Sequence, residues 1–194
     1  LESNNQTEIL VAELAENIHL FNFLHDQITE IKQAEESANI EAAEKMGKLH
    51  SQLKAVGYDG HALEVMLIRL LFCLFAEDTG IFEKYQFSRF IQNKTQADGS
   101  DLAAQLSYLF HVLNQAEDKR LKNLDADLAE FAYINGQLFS EFYPPASFDD
   151  EMRNLLLEAC EMDWSKISPE IFGSLFQSVM NKTERRALGA HYTG

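Results

Sequence analysis

The sequence predicts an all-α protein, and three observations lead to this prediction. The chain has 194 residues but only 3 prolines and 9 glycines, so few residues interrupt a regular backbone. Leu, Ala, Glu and Gln, which have high helix propensity, are abundant. Apolar residues recur every three or four positions in several segments. With 46% hydrophobic residues, the chain can form one globular domain with a substantial core, or two small ones.

The apolar pattern gives the bounds of the predicted helices. In segment 7–35 apolar side chains follow one face of a long amphipathic helix, and segment 39–56 repeats the pattern more weakly until Gly57. Segment 61–78 is the most apolar, and we expect it to be the most buried helix. Further helices are predicted for 86–93, 101–116, 148–162 and 169–180. Small polar residues that can cap these helices are Asp59, Ser100, Ser147 and Ser168.

One segment favours a different local structure. Phe131–Phe139 contains Asn135-Gly136 between two apolar runs, which is the strongest short signal for a β-hairpin. The prediction is therefore a multi-helix bundle with room for one small hairpin near Asn135-Gly136. The alternative for this segment is a structural turn beneath the core.

The charge of the chain is large and uneven. The net charge is -15, but residues 181–194 carry Lys182, Arg185 and Arg186 against Glu184. The other 180 residues therefore hold 13 basic and 30 acidic side chains, a net charge of -17. Phosphate contacts need Lys and Arg, so we do not expect the average surface to bind DNA. We interpret the acidic surface as a solvated one, and mimicry of DNA is the alternative.

Cysteine use and hydropathy indicate a cytoplasmic location. The two cysteines, Cys73 and Cys160, fit neither a zinc site nor a disulfide framework, which is compatible with a reducing compartment. No signal peptide is recognisable in the first residues. The most apolar run, 65–76, is too short to span a membrane and contains Arg69.

No catalytic residue and no metal site is predicted. The sequence has no Gly-rich phosphate loop, no paired-His metal motif and no nucleophile elbow. The acidic pair Glu77-Asp78 could be catalytic, but such a pair more often binds backbone groups or a nearby Arg, and we favour that role. Five isolated histidines are interpreted as surface or core residues: His19, His25, His50, His61 and His111.

Three stretches have an unusual composition. Arg69–Phe82 is typical of a core helix with its C-terminal cap, and Phe131–Phe139 of a turn flanked by aromatic residues. In Arg185–Thr193, Gly189 gives an adaptable backbone beside the His191 and Tyr192 side chains. That combination suits a small polar ligand or a nucleotide, and a disordered basic tail is equally compatible with it.

Together these stretches resemble one family, the MmeI-like (IIG/IIL) type II restriction–modification enzymes with a fused N6-adenine DNA methyltransferase. Arg69–Phe82 is similar to that family's helical spacer, and Phe131–Phe139 to its aromatic Asn-Gly segment. Pro169–Phe176 and Arg186–Thr193 are similar to the entry into its methyltransferase domain. The resemblance extends from about residue 60 to residue 194.

The resemblance implies a nuclease region, a helical spacer, a class I methyltransferase that uses S-adenosylmethionine, and a target-recognition domain. Residues 1–180 would be the spacer domain and residues 181–194 the truncated start of the methyltransferase domain. His191, Tyr192 and Thr193 would then contact the cofactor, but only together with the downstream domain. The family usually has Pro or Ser after this Thr, whereas Gly194 stands here.

The resemblance also defines what this chain is expected to lack. The family's Asn-Pro-Pro-Tyr-type methylation motif and its nuclease carboxylates and Lys are missing from the sequence. We therefore expect the parent protein to be a site-specific DNA adenine-N6 methyltransferase, with endonuclease activity left open. The fragment itself would be a non-catalytic spacer that binds no cofactor and couples the methyltransferase to the nuclease region.

DNA is expected as a partner through the parent protein. Candidate contacts are Lys182, Arg185 and Arg186, unless these side chains form salt bridges with the acidic body. The alternative function is a stand-alone acidic helical interaction module, either a DNA mimic or a regulatory partner. The sequence does not give the DNA recognition site or the oligomeric state.

Overall fold

The computed structural model describes residues 22–167, with side chains from residue 37 onward. The chain divides into two compact units, residues 1–37 and 38–194, and the hydrophobic core lies within the second. No strand occurs within residues 22–167, which confirms the predicted all-α class, and no helix there is long and apolar enough to cross a membrane. The helices are α1 (Asn22–Ala55), α2 (Gly60–Asp78), α3 (Gln86–Lys94), α4 (Leu102–Leu113), α5 (Ala126–Ala129) and α6 (Asp150–Cys160). Two short 3-10 helices cover Glu117–Lys119 and Trp164–Lys166.

Helix α1 is longer than either of the two segments predicted for this region. The backbone is helical without a break from Asn22 to Ala55, so the boundary expected between 35 and 39 is wrong. No Gly or Pro stands between residues 35 and 39, and the helix hydrogen bonds can continue even where the apolar pattern weakens. The predicted end is confirmed, because Gly57 follows with a φ of 89°. Residues 7–21 lie outside the described residues.

Helix α2 is the central element of the core, as its composition predicts. Leu70, Cys73 and Leu74 are completely buried. Helix α2 packs against α3 and the 3-10 helix at 164–166, and α3 packs in turn against α6. Burial of each large aliphatic side chain contributes about 1.5–3 kcal/mol, so this helix supplies much of the hydrophobic stabilisation.

The small hairpin for which the sequence left room near Asn135-Gly136 does not form, and the segment is irregular, as in the other interpretation of it. The Phe131 and Phe139 side chains are both buried, and they join a series of edge-to-face and tilted aromatic contacts that also includes Phe72, Phe82, Phe90 and Phe110. The Ile134 N–H donates to the Leu113 carbonyl at the end of α4, 2.9 Å away. Because the backbone of this segment bonds to α4 and to a side chain of α2, it has no strand partner and forms a loop.

Two predicted N-caps are also replaced by neighbouring residues. Helix α6 begins after Asp149 rather than Ser147, and the Asp149 carboxylate accepts a hydrogen bond from the Met152 N–H at 2.9 Å. Helix α4 has Asp101 at its N-cap, because the Ser100 hydroxyl donates to Asp98 within the preceding loop. Ser168 and the helix predicted over 169–180 lie outside the described residues.

Arginine side chains bind the ends of several elements. The Arg153 guanidinium donates to the Ile91 and Thr95 carbonyls and to the Thr95 hydroxyl, at the C-terminus of α3. Arg120 donates to four carbonyls, those of Val112, Gln115, Ala129 and Phe131. The last carbonyls of a helix lack partners within the helix and carry partial negative charge, so a buried cation is favourable there.

One glycine is required by a close backbone approach. At Gly99, where φ is 73°, an added Cβ would lie 2.3 Å from the Asp149 carbonyl oxygen. We expect Gly99→Ala to lower the free energy of unfolding by more than about 2 kcal/mol, because it adds a backbone clash to the left-handed strain. Gly80→Ala is the matched control: its φ is 79°, but the space around it is open. Urea unfolding of both variants measures the difference, and equal losses would contradict the clash.

Candidate functional site

The residues predicted from the resemblance lie outside the described part of the chain. His191, Tyr192 and Thr193, the candidate cofactor contacts, and Lys182, Arg185 and Arg186, the candidate DNA contacts, all follow residue 167. They stay predictions. Within residues 22–167, no group of three or more His, Cys, Asp or Glu side chains is placed to hold a metal ion.

The most distinctive polar side chain of the described core is Arg69, in the middle of α2. Its side chain is 6% exposed, and its Nε and Nη2 atoms donate to the Leu138 and Glu141 carbonyls at 2.9 and 2.7 Å. Burial lowers the pKa of Arg69, and nearby Tyr143 opposes this shift. Three aromatic rings surround the guanidinium, with ring centroids 5.3–5.6 Å from Cζ: Phe110, Phe139 and Tyr143. Arg69 therefore fixes the path of loop 138–143 over α2.

A hydrogen-bond network continues from this loop to the start of α2. The Tyr143 hydroxyl donates to the Glu141 carboxylate, and its oxygen lies 2.9 Å from His61 Nε2. Because the Tyr143 proton is directed to Glu141, His61 Nε2 is the donor in the second bond. Burial and the Glu141 carboxylate raise the pKa of Tyr143 to about 12, so the hydroxyl keeps its proton at neutral pH.

These residues enclose a groove of about 510 Å³ between α2 and loop 134–143, which we call the α2 groove. Its apolar side consists of Val65, Ile68 and Phe72, which share one face of α2. Asn135 and Gln137 lie on its opposite side and are exposed. The groove is mainly apolar, and the ionisable side chains at its end bond to one another or to backbone.

A second cavity of about 530 Å³ lies at the C-terminal end of α2. Among its lining residues are four acidic side chains and one basic one: Glu77, Asp78, Glu161, Asp163 and Lys84. Glu77 Oε1 accepts hydrogen bonds from the Ser88 N–H and hydroxyl, both at 3.1 Å, at the start of α3. Asp78 accepts from the Trp164 N–H at 2.7 Å. Both carboxylates thus bind backbone groups, which confirms the favoured interpretation of this pair.

The pKa of Glu77 gives a testable pH dependence. Burial raises it, and the two bonds from Ser88 only partly oppose the shift. A carboxyl group whose pKa is raised by folding binds protons more tightly in the folded state. Stability therefore falls as the pH rises from the ordinary value of 4.5 towards the raised pKa of the folded protein.

We expect Glu77→Gln to reduce this fall in stability. The amide oxygen can still accept from Ser88, but the side chain has no charge to bury. Urea unfolding between about pH 4 and pH 7 measures the effect. The control is the same substitution at an exposed position on α1, Glu44→Gln, and the two profiles are compared. An unchanged profile in the Glu77 variant would contradict the assigned cause.

The described part of the chain is a helical scaffold in which the Glu77 and Asp78 carboxylates bind backbone groups. Two sequence profiles match: "MmeI, N-terminal domain" over residues 1–56 and "MmeI, helicase spacer domain" over residues 61–139. The chain belongs to the MmeI-like family of type II restriction–modification proteins.

Individual relatives support the same assignment. A solved structure of the type IIL restriction–modification enzyme MmeI in complex with DNA is 65% identical, with a TM-score of 0.67 over 80% of this chain. "DNA methyltransferase A" of Bacillus subtilis (strain 168) is 40% identical over 163 residues, 82% of this chain. The match covers only 21% of the MmeI chain and 18% of the Bacillus protein, so this chain spans about a fifth of their length.

The structural role of Arg69 was not predicted. The sequence did contain a signal, because Arg69 is the single basic residue within the apolar run 65–76. A buried arginine needs acceptors for its donors, so the residue could have been expected to bind an aromatic or polar segment elsewhere in the chain.

Proposed function

We propose that this chain is the non-catalytic helical spacer region of a restriction–modification enzyme that methylates adenine N6 in DNA with S-adenosylmethionine. The observation that carries the proposal is the 65% identity and TM-score of 0.67 to the DNA-bound MmeI enzyme. In this proposal residues 1–56 belong to the N-terminal domain that their profile match names, the spacer follows them up to residue 180, and residues 181–194 begin the methyltransferase domain. The parent protein acts on DNA in the cytoplasm.

The physical role we propose for the spacer is rigid coupling of the methyltransferase to an N-terminal nuclease region. Coupling at a fixed distance requires that loops as well as helices keep their positions. Arg69, Arg120 and Arg153 each bind two or more backbone carbonyls of other segments, which supports such a role. The net charge of -17 on residues 1–180 would keep this region from competing for DNA.

The parent activity is tested with the intact polypeptide. Purified protein is incubated with radiolabelled S-adenosylmethionine and DNA, and the methylated base is identified after digestion. We expect N6-methyladenine. Methylation of cytosine, or no transfer, would contradict the proposal.

The fragment alone is tested by calorimetric titration of residues 1–194 with S-adenosylmethionine. We expect no measurable binding, because His191, Tyr192 and Thr193 would contact the cofactor only with the downstream domain. Micromolar affinity would contradict the non-catalytic role.

A further inference from the structure

An unusually exposed apolar side chain stands beside the α2 groove. Phe142 lies between Glu141 and Tyr143, both of which line the groove, and its side chain is 83% exposed. No other large apolar residue with a described side chain is as exposed. Loop 138–143 cannot easily withdraw this ring, because Arg69 holds the carbonyls of Leu138 and Glu141. The structure therefore exposes the Phe142 ring next to an open apolar groove, on a loop whose backbone is held by Arg69 at Leu138 and Glu141.

The α2 groove is suited to a packing contact rather than to a reaction. Its ionisable groups are already bonded within the protein: His61 and Glu141 bond to Tyr143, and Arg69 bonds to backbone. The surface that remains available to a partner consists of the apolar face of α2 and the exposed amide side chains of Asn135 and Gln137. Exposed apolar patches mark interaction sites, and a side chain that fills an apolar pocket of its partner often carries much of the binding energy of a protein–protein contact.

The occupant can be inferred from the length of the relatives and from charge. This chain spans 18% and 21% of the two relatives, so most of the polypeptide of such an enzyme lies outside it. The exposed Glu141 carboxylate at the rim favours a basic neighbour in the occupant. We propose that the α2 groove and Phe142 form the docking surface for the methyltransferase module of the same polypeptide. That module would contribute an apolar side chain to the groove and a Lys or Arg beside Glu141.

This inference rests on the proposed function, and site-specific cross-linking in the intact polypeptide tests it. A photoreactive benzophenone amino acid replaces Phe142, and mass spectrometry maps the cross-linked peptides after irradiation. The matched control is the same substitution at Leu121, which is 67% exposed and does not line the groove. We expect position 142 to give a several-fold higher yield than position 121, with cross-links to the methyltransferase module of the same molecule.

Each other result would overturn the docking proposal. These results are a yield no higher than at position 121, cross-links only within residues 1–180 or to a more N-terminal segment, and cross-links to a second molecule. The methylation assay separates this failure from failure of the proposed function. If the intact protein methylates adenine but position 142 gives no such cross-link, only the docking surface is wrong.

A substitution gives a second measurement. In the intact polypeptide, Phe142→Ser should weaken the contact between the methyltransferase module and the spacer, while Leu121→Ser should not. Hydrogen exchange of the backbone amides in loop 134–143 measures the effect, and we expect it to be several-fold faster in Phe142→Ser and unchanged in Leu121→Ser. Unchanged exchange in Phe142→Ser would count against the docking surface.

Discussion

Arg69→Met should lower the free energy of unfolding by about 3–4 kcal/mol. The substitution removes two charge-assisted hydrogen bonds and leaves the Leu138 and Glu141 carbonyls without their donors. It also removes the cation between the Phe110, Phe139 and Tyr143 rings. Urea unfolding followed by circular dichroism measures the loss.

Two further variants identify the cause of this loss. Arg69→Lys keeps the positive charge but cannot direct two donors in a fixed plane, so we expect an intermediate loss. Arg89→Met is the control, because the Arg89 side chain is 56% exposed and forms only a 3.8 Å ion pair with Glu83. It should change stability by less than about 0.5 kcal/mol. Equal losses for Arg69→Met and Arg89→Met would refute the structural role of Arg69.

Trp164→Ala should also lower the free energy of unfolding, by about 3–5 kcal/mol. The Trp164 side chain is completely buried, and its Nε1–H donates to the Ala159 carbonyl at 2.7 Å. Truncation would leave a cavity between α2 and the end of α6, and one backbone carbonyl would lose its partner. The loss is again measured by urea unfolding followed by circular dichroism, because Trp164 is the single tryptophan and fluorescence would be lost with it.

Trp164→Phe separates packing from hydrogen bonding. The smaller ring keeps much of the buried apolar area but has no donor for Ala159. We therefore expect Trp164→Phe to lower the free energy of unfolding by less than Trp164→Ala does. Leu121→Ala is the control for an exposed apolar position. If Trp164→Ala costs no more than Leu121→Ala, the packing assigned to Trp164 is wrong.

The sequence predicted those parts of the fold that depend on local patterns. Helix α2 was found within one residue of its N-terminus because its apolar residues and the following Thr79-Gly80 are both local signals. The local structure of the Asn135-Gly136 segment was not predicted, because the backbone around it bonds to Leu113 and to Arg69, which are distant in sequence. A hairpin signal reports only what neighbouring residues favour, and here contacts with α2 and α4 determine the structure.

The candidate sites show the same limit. The engagement of Glu77 and Asp78 with backbone could be anticipated, because buried carboxylates at a helix end usually find such partners. The α2 groove could not be anticipated from the sequence, because it depends on how loop 134–143 crosses α2, which lies some seventy residues earlier in the chain. The cofactor contacts predicted at His191, Tyr192 and Thr193 depend mainly on the resemblance, and the DNA contacts predicted at Lys182, Arg185 and Arg186 depend also on their local positive charge.

The hydrogen-bond acceptors of Arg69, Arg120 and Arg153 determine which substitutions this region can accept. Nearly all of them are main-chain oxygens, which every amino acid possesses. Substitutions at the exposed positions of these connecting segments should therefore leave the arginine contacts intact, whereas the three guanidinium groups and the buried Phe131 and Phe139 side chains have to be retained.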